Sequence, residues 1–185
     1  KCSVNYDKTY TKDKIVDISV KDYLELPNIF HSEDGPLLGY RTGVNFPDKP
    51  TDIEPYIFGC WLGGGAEHLD LNISNKHIPQ VYKCNSRTKR LELLAGIIDS
   101  CGNVSNGGYN IIQKNEHLLD DIIYLARSLG FAAYKKPCTE ETYYYTNIHG
   151  KRLEHIPVKY PSKKIQPRPQ LTTSEDPLTT RIKPE

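Results

Sequence analysis

The sequence predicts an α+β fold. Three observations carry this: two short apolar stretches that each end in glycine, an amphipathic stretch over residues 116–129, and isoleucine- and tyrosine-rich runs on either side of it that suit strands. A chain of 185 residues can bury one good core, or one core with extended arms, but hardly two full domains. Hydrophobic residues at 37% and charged residues at 25% exclude wholesale disorder.

Taken in order, residues 1–14 are polar and rich in Lys and Tyr, and residues 14–20 alternate apolar and polar side chains as a half-buried strand should. Residues 22–26 suit a helical turn. The stretch 27–55 carries Pro, Gly and Asp punctuation and reads as a connector, with a short strand at 39–46. Asp52 ahead of Glu54 and Pro55 marks a helix start, and the apolar run 56–62 stops at Gly63, Gly64 and Gly65. A second helix is predicted over 87–99, where Leu91, Leu94, Ala95 and Ile98 recur at helical spacing and Gly102 closes the element.

Residues 109–113 suit a strand. The next helix spans 116–129, with Leu118, Leu119, Ile122, Ile123, Leu125 and Leu129 on its buried face and Gly130 as its stop. Residues 131–135 and 142–147 suit two further strands. From Ile156 onward, prolines recur at 157, 161, 167, 169, 177 and 184 with basic residues between them, so no regular element is expected. Such an arm is either disordered or ordered against a partner. The expected organisation is an N-terminal strand and connector over 1–55, a domain over 56–155 and an extended Pro- and Lys-rich arm over 156–185.

Composition narrows the function classes. A net charge of +1 lacks the basic excess of a dedicated nucleic-acid binder, so any such surface must be local. Five cysteines, Cys2, Cys60, Cys84, Cys101 and Cys138, form no CxxC pair that would chelate zinc, and isolated thiols suggest a reducing, intracellular compartment. No apolar run reaches membrane-spanning length and no secretion signal stands at the start. The chain has no Met, which implies that it starts after processing or inside a longer product.

The two glycine-ended helices carry the main signal. Residues 94–102 (LAGIIDSCG) resemble the LAGLIDADG motif of homing endonucleases at nearly every position, and residues 57–65 (IFGCWLGGG) resemble its looser first copy. Residues 39–47, 75–79, 82–87 and 125–130 look like further segments of intein-borne members, so the resemblance runs from about residue 14 to 160. It implies a pseudo-twofold core in which small residues, here Gly59, Ala95 and Gly96, let the two motif helices approach closely. In active members the eighth motif residue of each helix is an acid that binds the divalent ions activating water. Gly64 and Cys101 occupy those places here, so no catalytic residue, no metal and no other cofactor is expected. Asp99 holds the sixth position, which the resemblance assigns to packing and capping, and neither it nor Glu67 is expected to bind metal.

The resemblance also implies a strand and helix set after each motif helix, the two sheets forming a saddle on DNA. Only residues 66–89 separate the first motif from the second helix, which is too short for a complete first half. The expected architecture is therefore LAGLIDADG-like, with two central motif helices, one complete antiparallel sheet and a truncated first half. Splicing is not expected, since the chain begins at Lys1 and ends at Glu185 without the residues that junction chemistry needs.

Among other candidates, Lys83, Arg87, Lys89 and Arg90 form the densest basic group, and Lys114, Lys135 and Lys136 fall on strands that the family presents to DNA. Tyr143, Tyr144 and Tyr145 could stack on bases, though alternation would turn some of these rings onto the sheet. His31, His68, His77, His117, His149 and His155 show no HxxxH or HExxH spacing. The sequence thus points to an inactive endonuclease relic serving as a structural or accessory subunit of a larger assembly, RNA-containing particles included, held by its N-terminal segment and its arm. A nucleic-acid-binding module using the surviving half-saddle is the first alternative, and an active endonuclease the second.

Overall fold

In the computed structural model of the chain, residues 18–31, 42–65, 76–138 and 142–166 are described. They fall in two compact units, residues 18–31 in one and the rest in the other. In the first, the Ser19 hydroxyl accepts a hydrogen bond from the Asp22 amide at 3.1 Å and opens helix α1, Val20–Leu24. The strand predicted over 14–20 is therefore not continued at Ile18 and Ser19, because a cap redirects the backbone; residues 14–17 lie outside the described residues. A 3-10 turn, Asn28–Phe30, follows.

The larger unit is built on two helices, α2 (Pro55–Leu62) and α4 (Arg87–Cys101), with the short α3 (Gln80–Lys83) before the second. Pro55 suits the first helical position because no partner exists there for its missing N–H. Gly64 ends α2 at φ +89°. Its amide reaches the Trp61 carbonyl at 3.0 Å and that of Gly65 reaches Cys60 at 2.8 Å, the paired bonds of a Schellman stop. Where α2 and α4 cross, a Cβ on Gly59 would run into the Leu93 carbonyl, and one on Gly96 into the Tyr56 carbonyl. Backbone meets backbone at this point, so the contact admits no side chain on either helix.

After α4 the chain forms an antiparallel sheet of β1 (Gly102–Ser105), β2 (Gly108–Gln113), β3 (Lys135–Pro137) and β4 (Tyr144–Ile148), in the order β1-β2-β4-β3. Helix α5 (Glu116–Ser128) connects β2 to β3 and buries the side chains predicted for it. Asn115 caps its start through the Leu118 amide at 3.2 Å, and Gly130, at φ +91°, ends it. Tyr109, Ile111, Thr146 and Ile148 turn inward from the sheet, joining Leu93, Leu94, Ile97 and Ile98 of α4 and Leu118, Leu119, Ile122 and Leu125 of α5 in one core.

Three sequence expectations change. Gly102 does not simply close α4: it is extended and begins β1, which the sequence reading missed. Asn106 (φ 49°) and Gly107 (φ 68°) both take left-handed backbone and join β1 to β2 as a two-residue hairpin of the I′ kind. The strand expected over 131–135 shrinks to a bridge at Ala132 with His149, and β3 begins only at Lys135. No strand forms over 42–46; the Val44 amide donates to the Ser128 carbonyl at 2.8 Å and the Val44 carbonyl accepts from Arg90, and just beyond, Lys49 exchanges two bonds with the buried Asn85 amide at 3.0 Å each. Residues 39–41 lie outside the described residues.

Beyond the sheet, residues 153–166 pass back over this core. Leu153, Ile156 and Val158 are buried, a 3-10 turn spans Pro161–Lys163, and Tyr109 donates its hydroxyl to the Lys163 carbonyl at 2.9 Å. The prolines suppress longer elements here without preventing burial. Residues 167–185 lie outside the described residues. Among the described residues no helix is long and apolar enough to cross a membrane.

Candidate nucleic-acid interface

The two motif helices end side by side. Gly64 carries no side chain, and a Cβ built there would meet nothing within 4 Å. Cys101 donates to the Ile97 carbonyl at 3.3 Å and receives the Gln113 amide at 3.4 Å. Burial pushes its thiol above the usual value, against smaller opposing effects from Gln113, Lys163 and Lys76, so it stays protonated at neutral pH. Neither side chain offers an oxygen donor of the kind that a hard divalent ion prefers. Glu67 lies outside the described residues.

Asp99 is 6% exposed. It accepts from the Tyr56 hydroxyl at 2.9 Å, the Lys159 amide at 2.7 Å and, at 3.5 Å, the Tyr160 amide. One carboxylate thus ties α4 to α2 and to the returning C-terminal segment, while the Lys159 ammonium lies 3.6 Å from the centre of the Tyr56 ring. Two further lysines reach the helix ends. Lys76 donates to the Trp61 carbonyl at 2.7 Å and sits over its ring, and Lys163 donates to the Gly102 carbonyl. Cationic donors suit the negative end of a helix.

The second surface is the sheet face turned away from the core. Because side chains alternate along a strand, the buried Tyr109, Ile111, Thr146 and Ile148 fix their neighbours on the other side. Asn103 pairs with Asn110, and Asn110 with Asn147, so three asparagines line up across three adjacent strands. Asn110 donates to Asn147 at 2.8 Å. The next row sets the half-exposed Ile112 against Tyr145 and Tyr145 against Lys136. Ser105 is also on this face. Among the described residues, none of the β1–β4 strand positions is Asp or Glu.

The basic candidates separate clearly. Arg90 is not a surface residue: it is fully buried, with its guanidinium given to the carbonyls of Asn85 (2.8 Å), Ser128 (2.9 Å) and Val44 (2.6 Å) and to the Ser128 hydroxyl (2.7 Å). A sequence cannot distinguish it from its neighbours Arg87 and Lys89, because only the helical phase turns it inward. Lys83 pairs with Asp121 at 2.6 Å, and Lys89 with Asp48 at 3.0 Å. Arg87 is exposed and donates to the Leu129 carbonyl at 2.9 Å. Lys135 turns to the helix side, where it bridges Glu116 (2.8 Å) and Asp120 (2.9 Å) of α5. Lys136, on the outer face, and Lys114, just after β2, are exposed. Asn103, Asn110 and Asn147 were not foreseen, since an asparagine on a strand has no meaning until the register is known. Lys76 and Lys163 were missed for a similar reason: their targets are backbone carbonyls far away in sequence.

Among the described residues, a close helix pair with small residues at its crossing is thus followed by an antiparallel sheet with one face turned away from the core. Residues 77–155 match the homing endonuclease family and form a homing endonuclease-like domain. The chain is also similar to the replicative DNA helicase DnaB of Mycobacterium intracellulare, 30% identical over an alignment of 120 residues that takes in 48% of this chain and 21% of that protein. The matched span is therefore about a fifth of that relative's length.

Proposed function

We propose that this is an intein-type homing endonuclease-like domain that no longer cuts DNA but still binds nucleic acid through its outer sheet face, alone or as an accessory part of a larger assembly. The observation that carries the binding is that face, with its amide, hydroxyl and aromatic groups, an exposed Lys136 and no strand carboxylate among the described residues. Phosphates approach such a surface without like-charge repulsion. The partial match to a replicative helicase supports the intein-type reading, because a domain of this kind accounts for only a piece of that longer protein.

Loss of cleavage is supported by the motif-helix ends. At the places where the family resemblance puts metal-binding acids stand a glycine and a protonated, buried thiol, and the nearby Asp99 spends its oxygens on Tyr56, Lys159 and Tyr160. The short interval between α2 and α4 supports the truncated first half, which would leave one sheet to do the gripping. Gel-shift and cleavage assays on duplex DNA with Mg²⁺ test this reading. The expected outcome is binding that weakens as salt rises, with no strand cut. Cleavage at any site sinks the loss of activity, and no shift at low salt sinks the binding.

A further inference from the structure

We infer that Asn106 is a site of spontaneous self-modification, losing its side-chain amide to the backbone of Gly107, and that the folded hairpin restrains the reaction. This does not depend on what the sheet face binds. Asn106 is the one asparagine in the chain that a glycine follows. A glycine has no side chain to shield its backbone nitrogen from a neighbouring carbonyl group. Asn106 is exposed, at the tip that joins β1 to β2. Asn85, which precedes the small Ser86, is instead fully buried, with its side chain bonded to Lys49, Val81 and Ser86.

The chemistry needs only water. The Gly107 nitrogen attacks Cγ of Asn106 and gives up its proton as the new N–C bond forms. The bond from Cγ to the side-chain nitrogen breaks, and ammonia departs with that proton. Water then opens the resulting cyclic imide. Opening at Cγ leaves an aspartyl residue on the original backbone. Opening at the backbone carbonyl leaves an isoaspartyl residue, whose main chain is longer by a methylene.

Ring closure requires the Gly107 nitrogen to swing to the Cβ side of the Cα–C bond. At φ 49° Asn106 is in the left-handed region, where ψ is about +30 to +60° and that nitrogen points nearly away from Cβ. The turn must therefore open first. Opening breaks the rung between Ser105 and Gly108, at the end of an edge strand whose Asn103, Val104 and Ser105 are exposed. Such an end frays far more readily than the core unfolds, so the reaction proceeds slowly in the native chain. The aspartyl product resumes the turn, because aspartate tolerates left-handed backbone. The isoaspartyl product does not, because the added methylene changes the length of a two-residue connection.

The test is to age the full chain in mildly alkaline buffer, with and without unfolding guanidinium chloride, and to follow it by peptide mass mapping. The mass gain of an amide-to-acid exchange should appear on the peptide holding Asn106, about tenfold more slowly in the native chain than in denaturant. Asn106→Gly, which keeps a left-handed turn residue but has no amide to lose, should show no gain there. Of the two aged products, separated by chromatography, the isoaspartyl form should lose amide-exchange protection along the β1–β2 rungs and the aspartyl form should keep it. Equal rates with and without denaturant, or an isoaspartyl form that keeps its protection, overturn the part assigned to the turn. A native chain still unmodified at Asn106 after the denatured chain has fully converted, or a gain spread evenly over the asparagines, overturns the site.

Discussion

At the scale of single residues, Arg90 shows how charge is accommodated when a carboxylate is not its direct partner. The guanidinium fork reaches three backbone carbonyls and a hydroxyl that come from α5, the start of α4 and the extended segment at Val44, and it lies 5.0 Å from the Phe46 ring. Burial lowers its pKa, yet arginine starts so high that it remains charged. Removing the side chain would take a donor from each of these acceptors, although the Ser128 carbonyl keeps the Val44 amide at 2.8 Å. Arg90→Ala should therefore cost on the order of 3 kcal/mol. Arg90→Lys should recover little, because a single ammonium cannot span carbonyls set in a fork. Urea denaturation followed by circular dichroism measures both, and a loss below about 1 kcal/mol for Arg90→Ala would show that water replaces the guanidinium.

At the scale of elements, the α2–α4 crossing is set by two glycines that leave no room between the backbones. Gly96→Ala should force the helices apart and cost about 3 kcal/mol, at the upper end of overpacking because the obstructing atoms are backbone and cannot rotate away. Thermal denaturation checks it, with the exposed Thr88→Ala in the same helix as a control. Long periodic elements were legible in the sequence: α2, α4 and α5 lie within two residues of their predicted bounds, because glycine stops and apolar spacing are local signals. The hairpin of β1 and β2 was not, since Gly102 reads equally as a helix stop, and β3 was displaced because Phe131 and Ala133 owe their burial to the core rather than to strand pairing. For the candidate site, the motif positions Gly64 and Cys101 were readable one residue at a time. The asparagine row was not, because it exists only through register.

At the scale of the whole molecule, the proposed loss of cleavage has two independent causes, the missing acids and the short first half. Restoring only the acids separates them. Gly64→Asp with Cys101→Asp should yield no cleavage of duplex DNA in Mg²⁺, both because one sheet remains and because position 64 sits at φ +89°, where a side chain is strained. Strand cutting by this double variant, read on a sequencing gel against the parent chain, would mean that the acids alone were limiting.

The ties made by Asp99 also set a timetable for the nascent chain. Its carboxylate sits at the end of the second motif helix, but two of its donors, the amides of Lys159 and Tyr160, are synthesised about sixty residues later. Until they emerge from the ribosome, the α2–α4 pair must keep that charge in water and its buried end unsealed. Helices, hairpin and sheet can all form as they are made, but the last lock on the core closes only after residues 159 and 160 have been added.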